Sequence, residues 1–137
     1  AHYAGKNQYE GVARMTGWAE AFARKTRGYR PFDLHRTLDA DVDWRLPLDL
    51  KVVPLPGHTR GHLGLYWARK KWLFSGDLFA SFRRLSHLPP VFFNENTKEA
   101  RASIGRALEL DLAGVLPNHC DQATPAEHFE RLRRIGS

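Results

Sequence analysis

Apolar residues recur at helical spacing over 9–25, where Val12, Met15, Trp18, Ala19 and Phe22 are interleaved with Arg14, Glu20 and Arg24. That period predicts an amphipathic helix, closed by Gly28 and Pro31. From Arg30 to Asp49 the pattern breaks into Pro, Asp and isolated apolar positions, which reads as a loop holding one short strand around Leu46 to Leu48. Leu50 to Leu55, His62 to Ala68 and Lys71 to Ser75 then read as strands, the last two joined as a hairpin by Arg69-Lys70-Lys71.

Beyond the strands the period returns to that of a helix. Asn96 with Glu99 forms a capping-box pattern, and Ala100, Ile104, Ala107 and Leu108 supply an apolar stripe, so a helix is expected over 97–109. Val115-Leu116 follows as a short buried strand. Thr124-Pro125-Ala126-Glu127 combines an N-cap, a proline at the first helical position and a capping-box Glu, ahead of Phe129, Leu132 and Ile135 as a buried face. The order helix, strand, hairpin, helix, strand, helix implies an α/β domain with one sheet covered by helices.

Composition narrows the class. The 137 residues, 42% hydrophobic and 26% charged, suit a single packed domain over 1–137, with no repeat or linker to divide it. No apolar run reaches the length of a membrane span and no signal-peptide pattern opens the chain, so a cytoplasmic location is expected. The single Cys120 excludes an internal disulfide and reads as a small buried residue. The net charge of +6 is spread over Arg24-Lys25, Arg69-Lys70-Lys71, Arg83-Arg84 and Arg131 with Arg133-Arg134. These look like solvated helix ends and turns, and a nucleic-acid partner is not expected.

Three polar segments share one context, the end of an expected strand with Gly or Pro beside it. They are Pro56-Gly57-His58-Thr59-Arg60-Gly61-His62, Ser75-Gly76-Asp77 and Leu116-Pro117-Asn118-His119. Side chains just past strand ends converge on one rim of a sheet, and imidazole nitrogen and carboxylate oxygen are the donors a zinc ion accepts. Each alone also reads as an ordinary turn residue. His87 and His128 read as solvent-facing, since His128 lies off the Phe129/Leu132 stripe.

Residues 52–66, followed by Leu73-Phe74-Ser75-Gly76-Asp77-Leu78 and by Leu116-Pro117-Asn118-His119, resemble successive motifs of the metallo-β-lactamase superfamily. The resemblance implies the carboxyl-terminal half of an αββα sandwich, one mixed sheet covered by helices. It implies a zinc-dependent hydrolase of esters, thioesters or amides acting on a small-molecule substrate. His58 would complete a first metal site, Asp77 would bridge two metals and His119 would belong to the second. His62 would start the next strand, and Phe79 to Phe93 would face the substrate. Aspartate at position 77 leans towards hydroxyacylglutathione-hydrolase-like members, and the short interval from Asp77 to His119 leaves no room for an inserted nuclease domain.

The family's H-x-H-x-D-H motif does not occur in these residues. The chain is therefore expected to be incomplete as a metal site, and weakly active or inactive alone; the alternative is a catalytically silent, truncated relative that acts by association. Its strands are apolar on both alternating sets, since Leu63, Leu65 and Trp67 are interleaved with Tyr66 and Ala68. A homodimer or a complementing amino-terminal fragment is expected to cover the second face.

Overall fold

The sequence patterns become a sheet with its helix-covered core on one side. The computed structural model describes residues 14–26 and 45–137. In chain order these are α1 (Arg14–Thr26), β1 (Arg45–Leu46), a 3-10 turn at Pro47–Asp49, β2 (Leu50–Pro54), β3 (Leu63–Trp67) and β4 (Trp72–Ser81). A 3-10 turn at Val91–Phe93, α2 (Thr97–Leu108), β5 (Gly114–Cys120) and α3 (Pro125–Gly136) complete the chain. Among the described residues the sheet has five strands in the order β1-β2-β3-β4-β5. The first four pair antiparallel and β5 joins β4 in parallel, so the sheet is mixed. This is the α/β class expected from the sequence.

The registers explain the two faces. Tyr66, Leu73 and Val115 are cross-strand partners, and Leu73 and Val115 are fully buried with Leu55, Leu78, Phe79, Ile104, Ala107 and Leu132 in one core. Ala100, Ser103, Ile104 and Ala107 form the inward face of α2. The neighbouring row is Val52, Leu65, Phe74 and Leu116, again in cross-strand register. Its Phe74 is 37% exposed, in contrast to Leu73 at 0%. The second face thus keeps an apolar row open among the described residues.

The starts of α2 and α3 follow the sequence, although of the two expected capping boxes only the one at α3 closes in both directions. Asn96 Oδ1 accepts the Glu99 amide at 3.0 Å. At α3 the Thr124 hydroxyl accepts the Glu127 amide while Glu127 Oε2 accepts the Thr124 amide at 2.8 Å, a reciprocal box.

Other expectations change. Residues 9–13 of the first expected helix, and 27–44 of the following loop, lie outside the described residues. Met15, Trp18 and Phe22 of α1 are exposed rather than packed into the core. The short strand falls at Arg45–Leu46, because Leu48 and Asp49 adopt positive φ and turn the chain. Strands β4 and β5 run on past Ser75 and Leu116 to Ser81 and Cys120. Cys120 is exposed.

The largest departure is His128, which is buried at 1% exposure. Its Nδ1 lies 2.6 Å from Ser81 Oγ. Arg131 Nη1 donates to Ser81 Oγ at 3.4 Å and to Asp121 Oδ1 at 2.8 Å, which leaves the serine proton for the imidazole. Burial lowers the His128 pKa first, the Arg131 charge lowers it further, and Asp121 and Glu127 oppose the shift. The unfolded chain takes up this proton near pH 6.5 and the folded chain only at lower pH. Stability from this group is therefore complete above about pH 6.5 and is lost as pH falls below it. We expect a lower urea midpoint at pH 5.5 than at pH 7.5, and a smaller drop in His128→Asn. An identical drop in both chains would contradict the buried neutral imidazole.

Candidate metal centre

Asp77 sits where β4 departs from regular pairing. The β4/β5 register shifts between Phe74 and Gly76 and again between Gly76 and Ala80. A bulge of this kind bends a strand and re-aims its side chains. Gly76 adopts φ +55°, and a Cβ there would stand 2.9 Å from His62 Nε2, so glycine serves both the turn and the close approach.

His62 fixes the bulge. Its Nδ1 is 2.8 Å from the Leu55 carbonyl and its Nε2 accepts the Asp77 amide at 3.0 Å. The carbonyl requires the proton on Nδ1, so the imidazole is neutral with both nitrogens engaged. Burial is the main cause lowering its pKa. His62 is a positioning residue here and has no nitrogen left for a metal.

The loop carrying His58 is strapped to the segment before α2. The Glu95 amide donates to the His58 carbonyl at 3.0 Å and the Asn96 amide to the Gly57 carbonyl at 2.9 Å. Glu95 Oε2 accepts the Arg60 amide, and Ser103 Oγ donates to the Pro56 carbonyl at 2.7 Å. Gly57, at φ +130°, lies so close that a Cβ would stand 2.0 Å from the Ala100 nitrogen. Only glycine fits there.

Asn94 sets the imidazole of His58. Asn94 Nδ2 donates to the Pro89 carbonyl at 2.9 Å and to Thr97 Oγ1 at 3.4 Å, which turns Oδ1 towards His58 Nδ1 at 3.3 Å. His58 Nδ1 is then the donor, and in the neutral ring Nε2 carries the lone pair. That nitrogen points to Asp77 Oδ2 at 3.8 Å. On the other side His119 Nε2 lies 3.4 Å from Asp77 Oδ1, which also accepts Asn118 Nδ2 at 3.2 Å. The structure thus brings His58, Asp77 and His119 to one rim, with one imidazole at each carboxylate oxygen.

Imidazole nitrogen and carboxylate oxygen are donor types that a divalent cation accepts. In the neutral tautomer a lone pair of His58 faces a carboxylate, an arrangement a positive charge between them relieves. Two donors about 2 Å from one tetrahedral zinc stand roughly 3.3 Å apart, near the shorter of the separations. Among the described residues, however, no three His, Cys, Asp or Glu side chains form a group that could hold a metal ion as they stand. The two histidines address different oxygens, and His119 has 71% of its side chain exposed.

Sequence reasoning missed Asn94 and Glu95, which are 2% and 5% exposed. The available signal was polarity: Asn-Glu directly after Phe92-Phe93 and before a separate capping residue. Beside the rim lies a cleft of about 420 Å³, walled by Phe79, Phe82, Pro90 and Phe93, with His87 also lining it. Part of the Phe79 to Phe93 segment therefore lines the space next to Asp77.

The fold defines an α/β protein with two histidines and an aspartate gathered where β4 bulges against β5. Its sequence matches the family profile of the metallo-beta-lactamase superfamily over residues 2–119, and the chain belongs to that superfamily. It is similar to a hydroxyacylglutathione hydrolase from Bdellovibrio bacteriovorus, at 40% identity over 62 residues, covering 32% of this chain and 24% of the relative. It also superposes on an archaeal metallo-beta-lactamase superfamily protein from Sulfolobus tokodaii, with a TM-score of 0.53 and 21% identity. That match covers 92% of this chain and 56% of the archaeal one, so the chain spans little more than half of that structure. The family is one of hydrolases, and no described helix is long and apolar enough to cross a membrane.

The His62 bridge gives a direct test. His62→Ala removes the partners of the Leu55 carbonyl and the Asp77 amide and is expected to cost about 1–3 kcal/mol in urea unfolding. His62→Gln, which offers a donor and an acceptor, recovers part of this. An unchanged midpoint in His62→Ala would contradict the bridge.

Proposed function

We propose that this chain supplies part of a zinc-dependent hydrolase acting on an ester, thioester or amide of a small molecule, and that His58, Asp77 and His119 are its metal ligands. The observation that carries this reading is the Asp77 carboxylate with an imidazole nitrogen at each oxygen, 3.8 and 3.4 Å away. A cation bound there supplies Lewis acidity to a carbonyl oxygen and lowers the pKa of water. The chain's own residues do the rest. Asn94 keeps the His58 lone pair turned inward, His62 holds the Asp77 backbone, and the phenylalanines and prolines of the cleft accept an apolar portion of the substrate while excluding water.

The name of the Bdellovibrio bacteriovorus relative supports a thioester substrate over the other two. Each carboxylate oxygen has one imidazole, short of the three protein ligands usual at a catalytic zinc. On this reading the chain by itself is weakly active or inactive. The open row of Val52, Leu65, Phe74 and Leu116 is the contact for an amino-terminal sheet of the same fold, which carries the remaining ligands. This agrees with the chain spanning 56% of the archaeal structure. A silent relative that acts by association is the second reading, favoured by the absence of a closed ligand group among the described residues.

With zinc present, the purified chain is expected to turn over S-acyl thioesters near background, and a co-expressed segment bearing H-x-H-x-D-H is expected to raise both metal content and rate. About two zinc ions per chain with rapid turnover, without any such segment, would contradict the incomplete site. Metal bound without turnover after complementation would favour the silent relative. Sedimentation of the chain with that segment is expected to give one copy of each. A symmetric pair of this chain that excludes the segment would show that a second copy covers the row instead.

A further inference from the structure

The sequence scatters its arginines, but the fold gathers two of the groups. Arg83 and Arg84, on the loop after β4, and Arg131 and Arg134, on α3, line one pocket of about 160 Å³ together with Ser86 and Ile135. Their juxtaposition is built by Asp121. Its Oδ2 accepts the Arg83 amide at 3.1 Å, and its Oδ1 accepts Arg131 Nη1 at 2.8 Å. The loop is closed at its base by the Ala80/His87 pair, with amide-to-carbonyl distances of 2.9 and 3.0 Å, and Ser86 Oγ donates to the Phe82 carbonyl at 2.6 Å. Arg83 and Arg84 are therefore carried by an anchored turn.

Among the described residues, the carboxylates beside these arginines are already engaged. Asp121 neutralises Arg131, and Glu130 pairs with Arg133, which lies outside the lining. Arg134 Nε donates to the Glu130 backbone carbonyl at 3.3 Å. Arg83, Arg84 and Arg134 form no salt bridge among the described residues, and no carboxylate lines the pocket. Guanidinium groups gathered without a counterion repel one another, and an anion among them removes that cost. Their planar forks match the oxygens of a phosphate in pairs.

Size selects among anions. Pockets for whole small molecules run to about 300–1,000 Å³, whereas this one has the volume of about five waters. It suits one tetrahedral group, with the rest of a ligand lying outside it.

We infer that this arginine pocket binds the phosphate group of a phosphorylated ligand. The inference does not rest on the hydrolase reading, since none of His58, Asp77 and His119 lines the pocket. The two sites share one loop: Phe82 and His87 line the cleft beside Asp77, and Arg83, Arg84 and Ser86 line the phosphate pocket.

Calorimetric titration of the full chain with inorganic phosphate at low salt tests this, beside Arg83→Gln/Arg84→Gln and Arg134→Gln. Arg101→Gln/Arg106→Gln, on exposed positions of α2, is the charge-matched control. Saturable binding is expected in the wild type and control within twofold of each other, with a loss of about tenfold or more in the pocket variants. Vesicles of phosphatidylcholine with phosphatidic acid distinguish the source. Vesicle binding that inorganic phosphate competes identifies a lipid headgroup, and no vesicle binding identifies a soluble phosphorylated ligand. No saturable phosphate binding, or an equal loss in the control, would overturn the inference. So would binding of single-stranded oligonucleotides that falls equally in all variants, which marks diffuse charge attraction.

Discussion

His62 sits between the end of β2 and the bulge of β4, with one ring nitrogen on the Leu55 carbonyl and the other on the Asp77 amide. A bulge leaves the backbone of its strand without regular ladder partners, so the direction of Asp77 depends on what replaces them. The imidazole supplies that replacement, and Gly76 is the residue that lets it come close enough. With Asp77 set, its two oxygens face His58 and His119 from opposite sides. The rim is thus built on backbone hydrogen bonds rather than on the three side chains holding one another.

The same economy of buried polar groups appears at the far end of β4. Ser81, His128, Arg131 and Asp121 join the strand end to α3 through bonds that leave a charged guanidinium 7% exposed. Burial of an arginine is tolerated only when its charge is paired and its donors are used. This polar knot seats the loop that separates the apolar cleft from the arginine pocket. One loop therefore carries the walls of two chemically different sites.

Local patterns were legible in the sequence where a short-range mechanism wrote them. The α3 capping box, the α2 stripe and the β3/β4 hairpin show as spacing, and His58, Asp77 and His119 show as polar residues in Gly/Pro contexts, although Asp77 and His119 lie within β4 and β5 rather than at strand ends. Long-range compensation was not legible. His128 falls off the apolar stripe and still goes inside, because Ser81, 47 positions away, meets its nitrogen. Strands β4 and β5 outrun their apolar cores because pairing with each other carries Asp77 and His119 into the sheet. Asn94 and Glu95 look like loop residues until the His58 loop is laid across them. The arginine groups look solvated for the same reason, since nothing in their spacing states that α3 returns to the β4 loop.

The proposed cation site turns on Asp77 as its shared donor. Anomalous diffraction at the zinc edge, on crystals of the chain equilibrated with zinc, tests that most directly. The predicted result is a peak within about 2 Å of an Asp77 oxygen and of Nε2 of His58 or His119, with His62 still on the Asp77 amide. Zinc bound by Cys120 or by His62, with nothing at Asp77, would contradict it.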